Sequence, residues 1–582
     1  MLPHASRHDD TPAFDLDALV DTATRRIAPT WPLDRFIAVN PLWGFVEKPL
    51  PEVAGRLEAL VGSRMLMPRA WYRSAWTTGR LRPTHLRAAI ERSGSERTVA
   101  RLETLLEHDA HTPRRRPLMT DVMDATRDLE KSLAWADVVP GAISRVCAAH
   151  FTAGGGPGLW EAWRTQAPED QSAELLVGGA SLRPHAASLP TSRDGLLRLA
   201  VAELDVEPPR LEDYLTALLL DVNGWASMCA YERFQAELEG ESDDLIVDLL
   251  AIRLAWELLL FRAGGPRLAS RWQLAMAGWP TFDDAAEERL DDWLLQTAME
   301  VAYQSEIAEG LTRGVAAPRP EAPRAQAAFC IDVRSEVFRR ALEATSADVG
   351  TLGFAGFFGL PAAYHPIGTD ASRPQLPGLL APAVRVTDEA LPEGTDARRA
   401  ARLDRGAVAT AFQKSAIGGF PFVEALGLGF GAKLLANAFG LARPVRHPEA
   451  AGLRHAEHHA RRPRLTAKAD GSPLGTEERV DLAEGILRAM SLTRGFARIV
   501  ALVGHGSQTA NNPHAAGYDC GACCGQAGAV NARATADLLD DPAVREGLRA
   551  RGIDIPEATR FLGGLHDTTT DEVTLFDTER LG

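Results

Sequence analysis

Apolar residues in the first half of the chain recur every three or four positions, the spacing of a helix face. The pattern holds from about residue 52 to 312, as in DYLTALLLDVNGWASMCAYERFQAELE, and shows no repeat period. LIVDLLAIRLAWELLLF (245–261) keeps Asp248, Arg253 and Glu257 and reads as an amphipathic core helix. Residues 1–51 end differently, in WPLDRFIAVNPLWGFVEKPLPEV, where aromatics and prolines are too dense for a helix. Extended pieces joined by a turn at Asn40-Pro41 are predicted there.

A proline-rich linker, RGVAAPRPEAPRAQ, is expected over 313–326, because three prolines in six residues suit neither helix nor central strand. Beyond it the texture changes to short apolar runs separated by helical patterns. The runs are AAFCIDV, TLGFAGFFG (351–359), RIVALVGHGSQT (498–509) and ATRFLGGLHDTTT (558–570). After the first, SEVFRRALEAT reads as a helix with Ser335 as its N-cap. The alternation predicts an α/β domain over 327–582 with a mostly parallel sheet, preceded by the large helical region.

Between about 365 and 480 the alternation is interrupted, and an insertion is expected. It carries His455 and His459 at helical spacing, read as a solvated segment rather than a metal site. It also carries FVEALGLGFGAKLLANAFGLA (422–442), whose Glu424, Lys433 and glycines argue against a membrane span. A helix buried in protein or against a partner is expected, with any membrane contact made through another subunit.

Composition narrows the possibilities further. Lys and Arg number 63 against 78 Asp and Glu, a formal charge of −15, which argues against nucleic acid as a partner. Six cysteines in 582 residues are no disulfide framework. Cys147 and Cys229 fall in helical sequence and read as small buried hydrophobes. With reduced thiols and no apolar signal region in MLPHASRHDD, a cytoplasmic location is expected.

The candidate chemistry lies at the ends of two apolar runs. Cys330 and Asp332 close the first run and, two residues apart on a strand, would point the same way. His505 ends another between Gly504 and Gly506, and Cys520 follows in GYDCGACCGQAG. In open α/β sheets, functional groups gather at the carboxyl ends of strands, where these four can meet. Two thiolates, an imidazole and a carboxylate make a tetrahedral Zn²⁺ set. Arg334 offers Asp332 a bidentate alternative, and a position so vacated can take water whose pKa the metal lowers to about 7.

Cys330-Ile-Asp332-Val-Arg334 resembles the Cys-x-Asp-x-Arg signature of β-class carbonic anhydrases, although His505 and Cys520 lie farther apart than in those enzymes. The wider pattern resembles the DabA-type inorganic carbon transporter subunit: PLDRFIAVNPLWGF, FCIDVRSE, GFAGFFG, GHGSQTANNPHAAGYDCGACCG and LHDTTTDEV occur in that order. Members of that family usually continue well beyond LFDTERLG. The resemblance implies zinc at Cys330, Asp332, His505 and Cys520, with Asp332 and Arg334 as the catalytic gate. It also implies a peripheral subunit on the cytoplasmic side of the inner membrane, docked on a DabB-type membrane subunit related to proton-conducting antiporter subunits. The implied reaction is energy-coupled, one-way hydration of CO₂ to bicarbonate.

A different class of function is a cytoplasmic thiol-redox or structural-zinc protein using Cys520 and Cys523, which have CxxC spacing. A zinc ribbon wants a second CxxC, which the chain lacks. Cys523 and Cys524 are therefore expected to pack beside the site. His514, His566 and Asp567 are candidates for a place near the site, with turn residues the slightly better expectation for each.

Overall fold

The short β-branched and alanine-rich runs of the second half do form strands. The computed structural model describes residues 15–581 except 34–36, 38, 109–114, 131, 155–156, 179–180, 280–281, 315–322, 390, 416, 442–447 and 510–511. It separates into two units, residues 1–30 with 39–316, and residues 31–38 with 317–582. Most of the expected linker, 315–322, lies outside the described residues, and the first strand already begins at Ala325.

The second unit is mixed α/β. Its larger sheet has the order β2-β1-β7-β8-β9, with β1 Ala325–Cys330, β2 Val349–Phe354, β7 Ile499–Gly506, β8 Arg560–Asp567 and β9 Glu572–Leu575. The first four pair in parallel and β9 is antiparallel to β8. Parallel pairing sends the carboxyl ends of β1 and β7 to one edge, in register Phe329↔Val503. One face packs Ala328, Val500, Leu502 and Phe561 onto the helices Thr476–Ala489 and Ala529–Asp540. The other packs Phe329 and Val503 against Phe338 of the Val333–Thr345 helix.

The region expected as an insertion builds a second sheet, β4-β3-β5-β6, from β3 Ala362–His365, β4 Arg373–Gln375, β5 Val384–Glu389 and β6 Arg462–Lys468. Pro374 is tolerated because β4 is an edge strand. Between β5 and β6 rise two consecutive helices, Thr395–Lys414 and the apolar Gly419–Ala438. The apolar helix, expected to be buried in protein or against a partner, is not buried within the chain: Phe420 is 82% and Leu434 70% exposed.

The first unit is helical. The N-terminal segment, expected as extended, contains a helix over Leu16–Arg25, with Leu16, Val20 and Ala23 buried and Asp15 capping the amides of Asp17 and Ala18. Asn40-Pro41 does turn, the Asn40 side chain accepting from Leu42 N at 2.9 Å. The longest helix, Leu245–Ala277, breaks where Gly265 takes φ 64 ahead of Pro266. Its first half is not amphipathic as expected: Ile246, Leu250, Leu254 and Leu258 are buried, and so are Arg253 and Glu257. A helix buried all round keeps charges only when they are paired.

Here they are. Arg253 donates to Glu257 Oε1 at 2.7 Å and to Asp221 Oδ2 at 2.9 Å. Glu257 Oε2 accepts from Tyr214 Oη at 2.7 Å and Met119 N at 2.8 Å. Removing the carboxylate leaves the buried guanidinium with Asp221 alone and strands two further donors. Glu257→Ala is therefore expected to lower stability by about 3–5 kcal/mol, read as a shift in the urea midpoint of helical circular dichroism. A change below about 1 kcal/mol would show that the pair is dispensable.

Candidate metal centre

Each element places its residue for a local reason. Cys330 is the last residue of β1, and His505 sits one residue before the end of the neighbouring β7. Cys520 lies in a tight loop closed by Cys520 N to Gln526 O at 3.1 Å and Gly525 N to Cys520 O at 3.0 Å. That loop is sewn to β7 by Gly528 N donating to His505 O at 2.9 Å. A Cβ on Gly504 would come within 2.6 Å of the Gly528 backbone, so two chains approach here as only glycine allows.

The result brings together three of the four expected zinc ligands. Ligand atoms of Cys330, His505 and Cys520 lie within 4.8 Å of one another, all buried. The two sulfurs are 3.8 Å apart. Two metal–sulfur bonds of about 2.3 Å at the tetrahedral angle separate their sulfurs by about 3.8 Å. Both ring nitrogens of His505 are buried without a hydrogen-bond partner, and Oδ2 of Asp332 stands 3.5 Å from Nε2. The hydrogen bond with Cys520, and then burial, push the Cys330 thiol well above its ordinary value. Cys520 is raised too: its bond with Cys330 lowers it, but its bond with Cys523 and burial prevail. Two sulfurs and an imidazole so placed fit a thiophilic divalent cation, which would supply the charge that burial denies the thiolates.

Asp332 and Arg334 adopt the alternative pairing. Asp332 is not a strand residue; it caps the Val333–Thr345 helix, a role expected of Ser335, and accepts from Arg334 N at 3.0 Å. Its oxygens also take Arg334 Nε at 2.8 Å and Nη2 at 3.0 Å. This guanidinium holds the carboxyl down to about 2. Arg334 Nη2 also donates to the carbonyl of Tyr518, two residues before Cys520, at 3.1 Å.

Other candidates fall elsewhere. Cys523 is buried in the cluster beside Cys330 and Cys520; Cys524 is buried too, and a Cβ on Gly378 would meet its Sγ, Ile37 and Trp31. None of the six cysteines is in a disulfide. His566 is no turn residue: it lies one residue before the end of β8 in register with His505, buried, with Nδ1 2.8 Å from Ser335 Oγ. Asp567 accepts from Thr569 N at 2.9 Å. His514 is exposed at the cap of a short helix; the His455 and His459 rings meet edge-on with centroids 4.3 Å apart, and His459 also meets the His458 ring.

Gly356, in GFAGFFG, borders the cluster although its sequence context marks it only as part of an apolar run. A Cβ there would lie 2.7 Å from Cys330 Sγ and 2.7 Å from Cys520 Sγ. Gly356→Ala is therefore expected to force the sulfurs apart and weaken Co²⁺ binding at least tenfold, on the order of 1.4 kcal/mol. The thiolate-to-cobalt charge-transfer band measures this. An unchanged titration would mean that the sulfurs do not share an ion.

The chain was compared with known proteins. The family described as "Probable inorganic carbon transporter subunit DabA" matches residues 20–582. A protein of that name from Ectopseudomonas mendocina (strain ymp) is 42% identical over 97% of this chain and 70% of its own length. Namesakes from Vibrio cholerae serotype O1 (strain M66-2) and Hydrogenovibrio crunogenus (strain DSM 25203 / XCL-2) are each 41% identical. They match over 97% and 96% of this chain and over 66% and 69% of their own lengths. No solved structure matches. The buried cluster thus sits in a chain that belongs to the DabA family of probable inorganic carbon transporter subunits.

Proposed function

We propose that this chain is the zinc-binding, carbonic-anhydrase-like subunit of an energy-coupled complex that takes up inorganic carbon by hydrating CO₂ to bicarbonate. In this reading it sits peripherally on the cytoplasmic side of the inner membrane, on a DabB-type membrane subunit. The observation that carries the reading is the pair of sulfurs 3.8 Å apart beside a buried, unpartnered imidazole, with an Asp–Arg pair at their edge. The names of the relatives support the carbon substrate, and the word "subunit" in them supports a partner. Among the described residues no single helix is long and apolar enough to cross a membrane, which suits a peripheral place.

Cys330, His505 and Cys520 would hold Zn²⁺. Bound there, the ion supplies Lewis acidity, which brings the pKa of a water in an open position to about 7. The chain's own residues set whether that position is open. With both oxygens on Arg334, Asp332 leaves three protein donors; released from the guanidinium, it is a fourth. Arg334 is tied to the Cys520 loop through the Tyr518 carbonyl, so movement of that loop is felt by the gate. Burial keeps bulk water from the sulfurs, and hydration, CO₂ + H₂O → HCO₃⁻ + H⁺, must send its proton out of a closed site. One-way uptake needs such control, because free equilibration would dissipate the gradient.

A thiol-redox centre at Cys520 and Cys523 is the competing assignment, and the two order the variants oppositely. Carbon uptake by a host lacking its own carbonic anhydrase, complemented with this chain and its membrane partner, should be lost in Cys330→Ala and His505→Ala. Asp332→Asn should fall at least tenfold while Cys523→Ser keeps most activity; the reverse order favours the redox centre. The purified protein should carry about one zinc, on the four-ligand count, and hydrate CO₂ little alone. Zinc-free protein with intact thiols would sink the assignment.

A further inference from the structure

Cys523 has no task in holding an ion, yet it is the least exposed thiol of the Cys520 loop. It packs with Cys330 and Cys520 in one cluster, beside Phe357 and Ala522. Its thiol hydrogen-bonds that of Cys520. Cys520 thus has two sulfur neighbours, Cys330 at 3.8 Å and Cys523. Cys523 is not among the three residues whose ligand atoms converge. A spare thiol against a metal-binding one stands where a resolving cysteine stands in peroxide-sensing proteins.

The backbone decides which neighbour Cys520 can join. Cys523 N donates to Cys520 O at 2.9 Å, closing a tight turn over Gly521–Cys523. Such a turn holds its end Cα atoms within about 7 Å, and a disulfide spans roughly 4.4–6.8 Å. Joining them is a rearrangement inside one loop. Cys330 is fixed differently, at the end of a strand held between β2 and β7. Cys524 takes φ 56, and its sulfur lies beside Gly378.

Both thiols are buried, but their cover is thin. Gly521 is exposed and Ala522 half-buried, and a Cβ on Gly521 would meet nothing within 4 Å. A small neutral oxidant needs only that loop to lift.

We propose that Cys520 and Cys523 form a redox switch on the metal centre: a hydroperoxide converts them to a disulfide, and the ion is released. The switch rests on the metal-binding reading above and adds its regulation. The Cys520 thiolate attacks H₂O₂, giving Cys520–SOH and OH⁻. The Cys523 thiol then condenses with the sulfenic acid, giving the S–S bond and H₂O. Two electrons pass from the sulfurs to the peroxide. Of the three converging donors only Cys330 and His505 remain, so a thiophilic cation loses one of its two sulfurs. A dithiol restores both thiols by exchange, and carbon uptake follows the thiol poise of the compartment.

The test treats the zinc-loaded full chain with hydrogen peroxide. A chromophoric chelator follows zinc, and mass spectrometry of alkylated, proteolysed protein follows the thiols. Zinc should leave in step with a Cys520–Cys523 link, and dithiothreitol with added zinc should restore thiols and metal together. In Cys523→Ser the resolving thiol is gone. Cys520 should pass on to the sulfinic acid, and zinc regained after dithiothreitol should fall about tenfold, because that oxidation is not reversed by thiols. Cys524→Ser should behave as the wild type does. Zinc retained through the treatment, a Cys330–Cys520 or Cys523–Cys524 link in place of the expected one, or full recovery by Cys523→Ser would each overturn the switch while the metal reading stands. Protein that holds no zinc before peroxide is added sinks the metal reading, and the switch with it.

Discussion

Everything at the candidate metal centre depends on two backbones meeting where no side chain fits. The strand end at Gly504 and the loop residue Gly528 touch main chain to main chain, and Gly356 lies against both sulfurs. That contact brings Cys520 beside Cys330 and under His505, from parts of the chain far apart in sequence. Parallel pairing of β1 and β7 does the rest, since their carboxyl ends must emerge at one edge. The cost of the arrangement is chemical. Two thiols and an imidazole are taken from water without enough hydrogen-bond partners, a state that a divalent cation relieves and little else nearby can. Arg334, the close guanidinium, is already committed to Asp332.

That commitment gives Asp332 competing attachments of comparable kind. As N-cap it accepts from Arg334 N and sits at the positive end of the Val333–Thr345 helix; as ion-pair partner it takes the guanidinium through both oxygens. Its Oδ2 is nonetheless 3.5 Å from His505. A carboxylate leaving the guanidinium for the cluster gives up one set of charge-assisted bonds for another, so small shifts in the Arg334 environment decide between them. The Tyr518 carbonyl belongs to that environment and to the loop that carries Cys520. The Asp332–Arg334 pair and the loop that carries Cys520 are thereby linked within a few residues.

How much of this could be read in advance differs by element, for physical reasons. β1, β2, β7 and β8 were legible because buried parallel strands are short apolar runs bounded by turn residues. Cys330, His505 and Cys520 were legible because thiols and imidazole at strand ends have few structural uses. The second sheet was not: β4 is three residues with a proline at its centre, too short for any period to show. Asp332 looked like a strand residue because alternation does not reveal where a strand stops and a cap begins. Ser335 looked like the cap, yet it is buried against His566. Gly356 carried no signal beyond glycine density, since what matters is the space that its missing side chain leaves for the sulfurs.

The apolar helix shows the sharpest limit of sequence periodicity, because a helix apolar on all sides has one sequence pattern and two possible solvents. Charges inside it favour burial in protein or against a partner; within the chain they are exposed on a bent pair of helices. What turns the protrusion into a mount is its base. Arg399, 4% exposed, donates to the carbonyls of Ala451, Ile367 and Glu449 at 2.9–3.0 Å, and Arg398 reaches Glu457 at 2.7 Å. A flexible apolar tail would need no such clamp. Three carbonyls on one buried guanidinium fix the direction in which the first helix leaves the second sheet, and so the direction in which the apolar arms are presented. A surface held that rigidly keeps a set orientation relative to the second sheet from which it rises.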